Sequence, residues 1–449
     1  MRDVALIIIF ASLIPMVLVR PWTGVLVWSW IGFMNPHRLG WGIADQLPVA
    51  MVFGSLTLVA MWFQSDRKLV PLTRETVLIV LMMILFTVTT FTAWVPSAAW
   101  PQWEKVIKIL GFALVTGMLI YGKKRIVALM AVMAGSIAFY GVKGAAFVVE
   151  TAGQYRVKGP EHSFIGANTS LGLAMLMVIP VLAALAQEVE RKWARMAIYG
   201  VMALTVVATV FTYSRGALLG LAVVIPLMLI KANKKLLLFL FMIPVAVKAP
   251  DLIPTKLIER AETMENYQQD RSAMQRIQAW GVGWNVAVER PLVGAGFKLE
   301  RAPNDLWLRY ANWQDEHFDS SRAAHSNYFQ MLGEHGFLGL GLYLLLLFFT
   351  FDSLRKIKKQ APGVGLGWMR KYADGLQVGL VAYAISGAFL SLAYFDLFYT
   401  FVILAGIMRR EIAEATDTAA SQAEGSKKVA PGAPTRPIAP APAQMAREG

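Results

Sequence analysis

The chain contains no cysteine among its 449 residues. This absence excludes a disulfide framework, a thiol nucleophile and a cysteine-ligated metal. Charged residues are also scarce, at 16%, whereas 56% of the residues are hydrophobic. Such a balance is typical of a polytopic helical membrane protein and argues against a large soluble enzyme. Any segment that faces an oxidising compartment must therefore be held together by packing alone.

Several catalytic motifs are missing as well. The sequence has no HExxH motif, no P-loop and no GxSxG elbow, and no Asp-x-Asp pair lies in the loops expected to face outward. Dedicated metal, nucleotide and serine-hydrolase sites therefore lack support. The net charge of +14 does not predict nucleic-acid binding. Most lysines and arginines lie in short loops between apolar runs, where they orient a membrane protein.

Long apolar runs dominate what is present. Twelve of them are long enough to span a bilayer by the rule of about 17 to 25 residues per helix, and they cover residues 4–19, 47–63, 76–94, 105–121, 126–150, 164–186, 194–213, 216–230, 235–249, 336–352, 373–392 and 395–408. A further run, 22–34, is short and either spans or dips into the interface. The sequence predicts an all-α polytopic membrane protein with about 12 transmembrane helices and one large helical loop outside the membrane.

The basic loops predict the orientation of the chain. Lysine and arginine concentrate in residues 64–75, 122–125, 187–195, 231–235 and 353–371, which places these loops in the cytoplasm. Both termini are then expected inside, which requires one early run to be re-entrant. The predicted organisation is transmembrane helices in 1–249, a large periplasmic loop in 250–335, C-terminal transmembrane helices in 336–410 and a Pro/Ala-rich disordered cytoplasmic tail in 411–449.

Three outward-facing side chains are candidates for chemistry. Arg215 lies in a tight link, although short outward links usually avoid arginine. Arg276 precedes Trp280 by one helical turn, so both lie on one side of a helix whose apolar face covers the membrane surface or the bundle. His325 opens a Ser/Asn-rich helix, and an imidazole with an ordinary pKa of about 6.5 can accept a proton from a sugar hydroxyl. The alternatives are a snorkelling or solvated arginine and a capping or packing histidine.

Other cations suggest a route for an anionic lipid. Arg156 and Lys158 either solvate their loop or attract a charged lipid headgroup, and Lys143 could line a lipid-diphosphate path. A transporter or flippase is a competing class, because polytopic spans and intramembrane cations suit it equally well. A transporter should carry ionisable residues deep in its spans, whereas here the charges collect at one surface and in one loop.

The order of three motifs resembles the bacterial O-antigen ligase and polymerase superfamily over residues 211–340. The motifs are Tyr-Ser-Arg-Gly-Ala, Gln-Arg-x-x-Ala-Trp with a following Arg-Pro-Leu-Val-Gly-Ala-Gly-Phe, and Ala-His-Ser-Asn-Tyr-Phe-Gln-Met-Leu-Gly-Glu-His-Gly-Phe-Leu-Gly-Leu. The opening, with Arg-Pro-Trp-Thr-Gly and Asn-Pro-His-Arg-Leu-Gly-Trp, also resembles O-glycosylation ligases associated with exosortase systems. The superfamily's usual His-Asn pair is His-Ser-Asn here, so any role of the residue directly after the histidine does not carry over.

The resemblance implies a type C-like glycosyltransferase of the bacterial inner (cytoplasmic) membrane with a site that faces the periplasm. It would transfer a glycan from undecaprenyl diphosphate to a sugar hydroxyl of lipid A-core, with inversion and without a metal or other cofactor. The superfamily's essential residues map to Arg215, Arg276 and His325. Further substrate contacts are expected from Arg156, Lys158, Tyr213, Lys143 and Trp280.

The implied partners are the lipid-linked glycan donor, the lipid A-core acceptor and membrane lipids, and no nucleic acid. An O-antigen polymerase and a protein O-glycosylation ligase are alternatives within the same superfamily. A lipid-linked glycan transporter is the alternative from a different class.

Overall fold

The computed structural model describes residues 2–40, 42–231, 271–314 and 319–428. These parts form helices and no strand, listed here in chain order: α1 Arg2–Val19, α2 Pro21–Met34, α3 Ile43–Gln46, α4 Val49–Phe63, α5 Arg74–Phe91, α6 Pro96–Leu119, α7 Gly122–Glu150, α8 Asn168–Ala186, α9 Lys192–Val210, α10 Arg215–Lys231, α11 Arg271–Glu289, α12 Asn304–Leu308, α13 Asn327–Gln360, α14 Met369–Ser386 and α15 Asp396–Lys428.

The chain is an all-α polytopic membrane protein, as its composition predicts. By length and composition, six described helices can cross a membrane, namely Arg2–Val19, Arg74–Phe91, Gly122–Glu150, Asn168–Ala186, Lys192–Val210 and Asn327–Val364. Helix α8 is central, because 83% of its most apolar 18-residue stretch is buried inside the bundle. It packs against α7, α9, α10 and α14. Peripheral helices such as α1 expose apolar side chains, which suits hydrocarbon and not water.

The helices alternate between two ends of the bundle. We define the loop end as the end that carries residues 92–95, 151–167 and 319–326. The Trp94 backbone N–H donates to the Ala295 carbonyl at 2.8 Å, and the Val157 N–H donates to the Phe211 carbonyl at 3.0 Å, so these loops share one end. At the opposite end Arg410 donates to the Gly117 carbonyl at 2.7 Å.

The amino terminus lies at the loop end, so the expectation that both termini share one side is wrong. Residues 21–34 form a helix that packs against α1, α4 and α7. This helix is about 21 Å long, and it lies among other helices instead of facing lipid on all sides. Arg2 lines a cavity together with Glu161 of the loop end. The additional crossing by α2 also explains the basic loop at 64–73 without a re-entrant run.

The tail is helical further than its composition predicts. Helix α15 continues to Lys428, so the expected disorder from Glu411 onward is wrong for residues 411–428. Lys68 forms ion pairs with Glu411, at 3.5 Å, and with Glu414, which hold this extension against the loop at 64–73. The Pro/Ala-rich end at 429–449, the predicted span at 235–249 and the first part of the large loop lie outside the described residues.

The described part of the large loop ends close to where the sequence places its boundary. Helix α13 begins at Asn327, but Gly336 interrupts its helical geometry with φ 67°. The Gly336 backbone lies against Pro291, where an added Cβ would come within 2.3 Å of the Pro291 carbonyl oxygen. Only glycine therefore fits this kink, and the turn before it belongs to the loop end.

Candidate functional site

Helix α11 is fixed across the loop end by polar and apolar contacts. Gln278 Nε2 donates to the Trp313 carbonyl at 2.8 Å, and Asn285 Nδ2 donates to the Tyr310 carbonyl at 2.8 Å. These two side chains are seven residues apart, so they lie on one face of the helix. The buried Trp307 packs into the same cluster as Ala279, Val282 and Val286 of α11. The helix therefore presents Arg276 and Trp280 from a rigid support.

Trp280 contacts the chain on both sides of His325, through one backbone carbonyl and one aromatic ring. Its Nε1 donates to the Ala324 carbonyl at 2.7 Å. Its ring stacks on Phe329 with the centroids 5.0 Å apart and the planes 4° from parallel. His325 itself has φ 45°, a left-handed conformation that is unfavourable for a residue with a Cβ. Such strain persists only where the surroundings impose it, and it often marks functional sites.

A buried polar network fixes the start of α13 just after His325. Asn327 Oδ1 accepts from the Leu392 backbone N–H at 2.6 Å, and its Nδ2 donates to the Tyr343 hydroxyl at 3.3 Å. The Tyr343 hydroxyl donates to that of Tyr383 at 3.0 Å, which donates in turn to the Leu392 carbonyl at 2.8 Å. Each buried polar group named here has a partner, so the network specifies one arrangement.

Arg276 and His325 lie within electrostatic reach of each other. Burial lowers the pKa of His325 below its ordinary value, the positive charge of Arg276 lowers it further, and Glu300 opposes the shift. The imidazole is exposed by surface area, although surrounding protein desolvates it. His325 is therefore accessible, while its imidazole remains partly desolvated. A neutral imidazole beside an arginine can accept a proton while the arginine holds an anion.

Arg215 reaches the same end of the bundle through a short connecting segment. The Gly216 carbonyl accepts a hydrogen bond from Ser386 Oγ at 2.9 Å. The next residue, Gly387, lies against Asn327, where an added Cβ would come within 2.5 Å of Nδ2. Residues 386–387 therefore connect the start of α10, with Arg215, to the start of α13, two residues after His325.

Two parts of the chain match known protein families. Residues 200–344, which contain Arg215, Arg276 and His325, match a family model described as O-antigen ligase. The match places these residues in the O-antigen ligase and polymerase superfamily. Residues 1–190 match a family of unknown function (DUF5935). A search of curated proteins finds no match. The superfamily predicted from the motif order is thereby confirmed, and O-antigen ligase-like function follows for the matched region.

The loop with Arg156 and Lys158 lies beside the link that carries Arg215. Between them the buried Val157 donates its backbone N–H to the Phe211 carbonyl, so both cations project from the surface of the loop end. Tyr213 is buried, has φ 52° and donates its hydroxyl to the Gly153 carbonyl. Its hydroxyl thus fastens the two loops together. The substrate contact expected of Tyr213 stays a prediction.

Lys143 belongs to another group of residues. It lines a cavity of about 780 Å³ together with Arg2, Arg38 and Glu161. No described contact connects this cavity with Arg276 or His325. The structure therefore groups Lys143 with the amino-terminal helices and not with the three principal residues.

Sequence reasoning missed several charged residues that lie next to the segment just before His325. A small cavity of about 70 Å³ is bounded by Lys298, Glu300, Arg322 and Glu334, and Ala324 also lines it. Lys298 Nζ lies 3.4 Å from Glu300, the carboxylate that acts on His325. Arg322 precedes His325 by three residues, a proximity visible in the sequence. Glu300 and Lys298 lie more than twenty residues away, so sequence spacing gives no signal for them.

His335 has a packing role in the described structure. It is fully buried, its Nδ1 lies 2.8 Å from Thr89 Oγ1 and its Nε2 lies 2.7 Å from the Tyr394 hydroxyl. The rings of Phe86 and Phe297 pack against the imidazole. Both ring nitrogens are occupied by these contacts, so His335 packs the first turns of helix α13 against α5. Among the described residues, no group of three or more His, Asp or Glu side chains has a metal-binding arrangement.

Proposed function

We propose that this protein transfers a glycan from undecaprenyl diphosphate to a sugar hydroxyl of lipid A-core. The observation that carries the proposal is the electrostatic proximity of Arg276 to His325 within the region that matches the O-antigen ligase family. A cation and a proton acceptor at one site are what a reaction between a lipid diphosphate and an alcohol requires.

The donor side of the reaction needs charge neutralisation. A lipid diphosphate is already a good leaving group, so a general acid is less important than cations for the charge that develops on it. Arg276 and Arg215 would bind its phosphate oxygens through bidentate, charge-assisted hydrogen bonds. Removal of one such electrostatic contact typically slows an enzyme by about a hundred- to a thousandfold. In this proposal the arginines replace a metal.

The acceptor side needs a base. The His325 imidazole nitrogen takes the proton from the acceptor hydroxyl as its oxygen bonds to the anomeric carbon. The bond from that carbon to the diphosphate oxygen breaks, and the lipid diphosphate leaves with the electron pair. Attack opposite the leaving group inverts the anomeric configuration. General-base catalysis of this kind contributes about a hundred- to ten-thousandfold.

The distribution of basic residues supports a periplasmic site in the inner membrane. Lys123 and Lys371 at the opposite end both form ion pairs with Glu188, at 2.6 Å and 2.5 Å. Arg125 at the same end pairs with Asp66 at 2.9 Å. Short basic loops mark the cytoplasmic side of a bacterial membrane protein. The loop end, with Arg276 and His325, then faces the periplasm.

The acceptor distinguishes this proposal from a polymerase and from a protein O-glycosylation ligase. The purified protein in liposomes should be given a polyprenyl-diphosphate-linked glycan with rough lipopolysaccharide, with a pilin-like acceptor protein, or with no second acceptor. Glycosylated lipopolysaccharide supports the proposal. Glycan chains that lengthen on the lipid carrier alone indicate a polymerase, and a glycosylated protein indicates the third activity. Absence of product in all three reactions contradicts glycan transfer.

A further inference from the structure

A large groove opens between α2, α4 and α6, in the part of the chain that matches the family of unknown function. Its volume is about 870 Å³, at the upper end of the range for ligand sites. Helix α2 forms the floor, where Trp28 stacks on Phe112 of α6 with the ring centroids 4.1 Å apart. Met51 and Leu58 of α4 line the groove and are 59% and 45% exposed. Exposed apolar side chains of a transmembrane bundle face hydrocarbon, so the groove opens sideways into the bilayer.

The groove is about as deep as one leaflet of the bilayer. On α6 its lining extends from Lys105 to Val115, and on α4 it extends from Pro48 to Leu58. Each stretch advances by ten residues, which is about 15 Å along a helix. The hydrocarbon core of a bilayer is about 30 Å thick. Because α4 and α6 both begin at the loop end, the apolar part of the groove lies in the leaflet on that side.

The rim of the groove at the loop end is polar but carries no excess charge. Each lysine or arginine that lines it lies near one carboxylate. The pairs are Arg38 with Asp45 at 3.1 Å, Lys108 with Glu104, and Lys105 with Asp396 within electrostatic reach. Such a rim offers hydrogen-bond donors and acceptors together, and a sugar hydroxyl is itself both a donor and an acceptor. A balanced polar rim beside an apolar wall therefore suits a glycolipid with acyl chains.

One short segment joins the groove to the candidate site. Ser391 lines the small cavity next to the segment just before His325, whereas Asp396 lines the groove. These two residues are five positions apart, so their Cα atoms are at most about 18 Å from each other. Between them, Phe395 packs against Phe164 of the groove wall with the ring centroids 6.2 Å apart. The polar rim of the groove and the surroundings of His325 are therefore neighbours at the loop end.

We propose that this groove holds the acyl chains of the acceptor glycolipid while the acceptor sugar extends toward His325. The inference rests on the proposed glycan transfer. Arg215, which that proposal assigns to the donor, begins α10, and α10 packs against α8, α9 and α14. The groove between α2, α4 and α6 thus lies on another side of the bundle from this donor arginine. Its depth of one leaflet fits acyl chains, which end near the middle of the bilayer, better than a longer polyprenyl chain.

Two steric variants test the location by lipid binding. A Cβ added at Gly111, on the α6 wall, meets no heavy atom within 4 Å, and Ser55 is exposed on the α4 wall. Gly111→Leu and Ser55→Leu therefore fill the groove from opposite sides. In native mass spectrometry, each should weaken retention of rough lipopolysaccharide about tenfold, the effect of about two methylene groups that lose their contacts. Retention of polyprenyl diphosphate should stay unchanged.

Gly200→Leu on α9 is the matched control. A Cβ added at Gly200 also meets no heavy atom within 4 Å, and Gly200 does not line the groove. This variant should retain both lipids like the wild type. The unfolding temperature reports whether each variant is folded, and the use of two walls keeps the test decisive if one variant is not.

Transfer kinetics separate the acyl chains from the sugar. With rough lipopolysaccharide as acceptor, Gly111→Leu and Ser55→Leu should raise the acceptor KM about tenfold and leave the donor KM unchanged. With a deacylated lipopolysaccharide as acceptor, both variants should match the wild type, because no acyl chain then enters the groove.

Three results overturn the proposal. The first is unchanged retention of rough lipopolysaccharide in the folded variants. The second is a loss of polyprenyl diphosphate retention in its place, which would assign the groove to the donor. The third is displacement of rough lipopolysaccharide from the wild type by an equal concentration of phosphatidylglycerol, which would show a site for any lipid with acyl chains. Absence of transfer with every acceptor contradicts the proposed function instead, and the retention measurements then decide on the groove alone.

Discussion

Trp280 is expected to control turnover without contacting the reacting atoms. Trp280→Phe keeps an aromatic ring against Phe329 but removes the hydrogen bond to the Ala324 carbonyl, which measures 2.7 Å. A hydrogen bond of this kind contributes about 1 kcal/mol, so kcat should fall about fivefold if that energy positions His325. Trp280→Ala also removes the stacking contact, worth about another 1 kcal/mol. Its kcat should fall about thirtyfold.

The assay is glycan transfer by the purified protein at saturating and limiting donor concentrations. A positioning role lowers kcat more than it raises KM, because the proposed mechanism assigns donor binding to Arg215 and Arg276. Trp284→Phe is the matched control. It lies on the same helix, is 52% exposed and packs edge-on against Phe337 at 5.5 Å, so its kcat should stay unchanged. Circular dichroism and unfolding temperature report whether each variant is folded.

Two results would refute this reasoning. The first is wild-type kcat in Trp280→Ala, which would show that the backbone around His325 needs no support from α11. The second is an equal loss of kcat in Trp280→Phe and Trp284→Phe, which would indicate a general effect on the helix and not a specific effect on His325.

Further predictions concern the proposed reaction itself. Arg215→Ala and Arg276→Ala should each lower transfer about a hundred- to a thousandfold in folded protein; normal activity in both variants contradicts the phosphate clamp. In His325→Gln, kcat should fall about a hundred- to ten-thousandfold. If this variant still binds the donor, His325 acts as a base and not as a donor-binding residue. The lowered pKa of His325 places the acidic limb of the pH profile below 6.5, the ordinary value: activity is present above the folded-state pKa and lost as pH falls through it. Glu300→Gln removes the charge that raises this pKa, so the limb should move to lower pH, and movement to higher pH contradicts the assignment. EDTA should leave turnover unchanged, whereas loss of turnover that a divalent ion restores contradicts the metal-free mechanism.

Periodicity and loop charge predict much of this fold because hydrocarbon permits few alternatives. Apolar runs become helices wherever unpaired backbone groups cannot be solvated, and α8 agrees with its run within a few residues at its start. The length of the run at residues 22–34 did not predict whether this run crosses the membrane. A run that is too short for an isolated span can still cross among α1, α4 and α7, because helices replace lipid as its neighbours. The contacts that permit this are absent from a hydropathy pattern.

Sequence spacing predicts which residues form the candidate site, but it does not predict the contacts that position them. Arg276, Trp280 and His325 are recognisable from motif spacing, since a helical turn joins the first two. The polar network from Asn327 to Tyr343, Tyr383 and Leu392 brings together positions up to 65 residues apart. The same holds for Glu300 and its effect on His325. Pairings of this length depend on how helices pack, which residue order alone does not specify.

A structure of the protein bound to a polyprenyl-diphosphate-linked glycan is the most direct test of the central claim, that Arg276 binds the donor diphosphate while His325 faces the acceptor position. Electron cryomicroscopy in a lipid nanodisc should show the diphosphate in contact with the Arg276 and Arg215 guanidinium groups, and the anomeric carbon between the diphosphate and the His325 imidazole. Diphosphate density against Lys143 and Arg2 instead, with none at Arg276 and Arg215, would contradict the account.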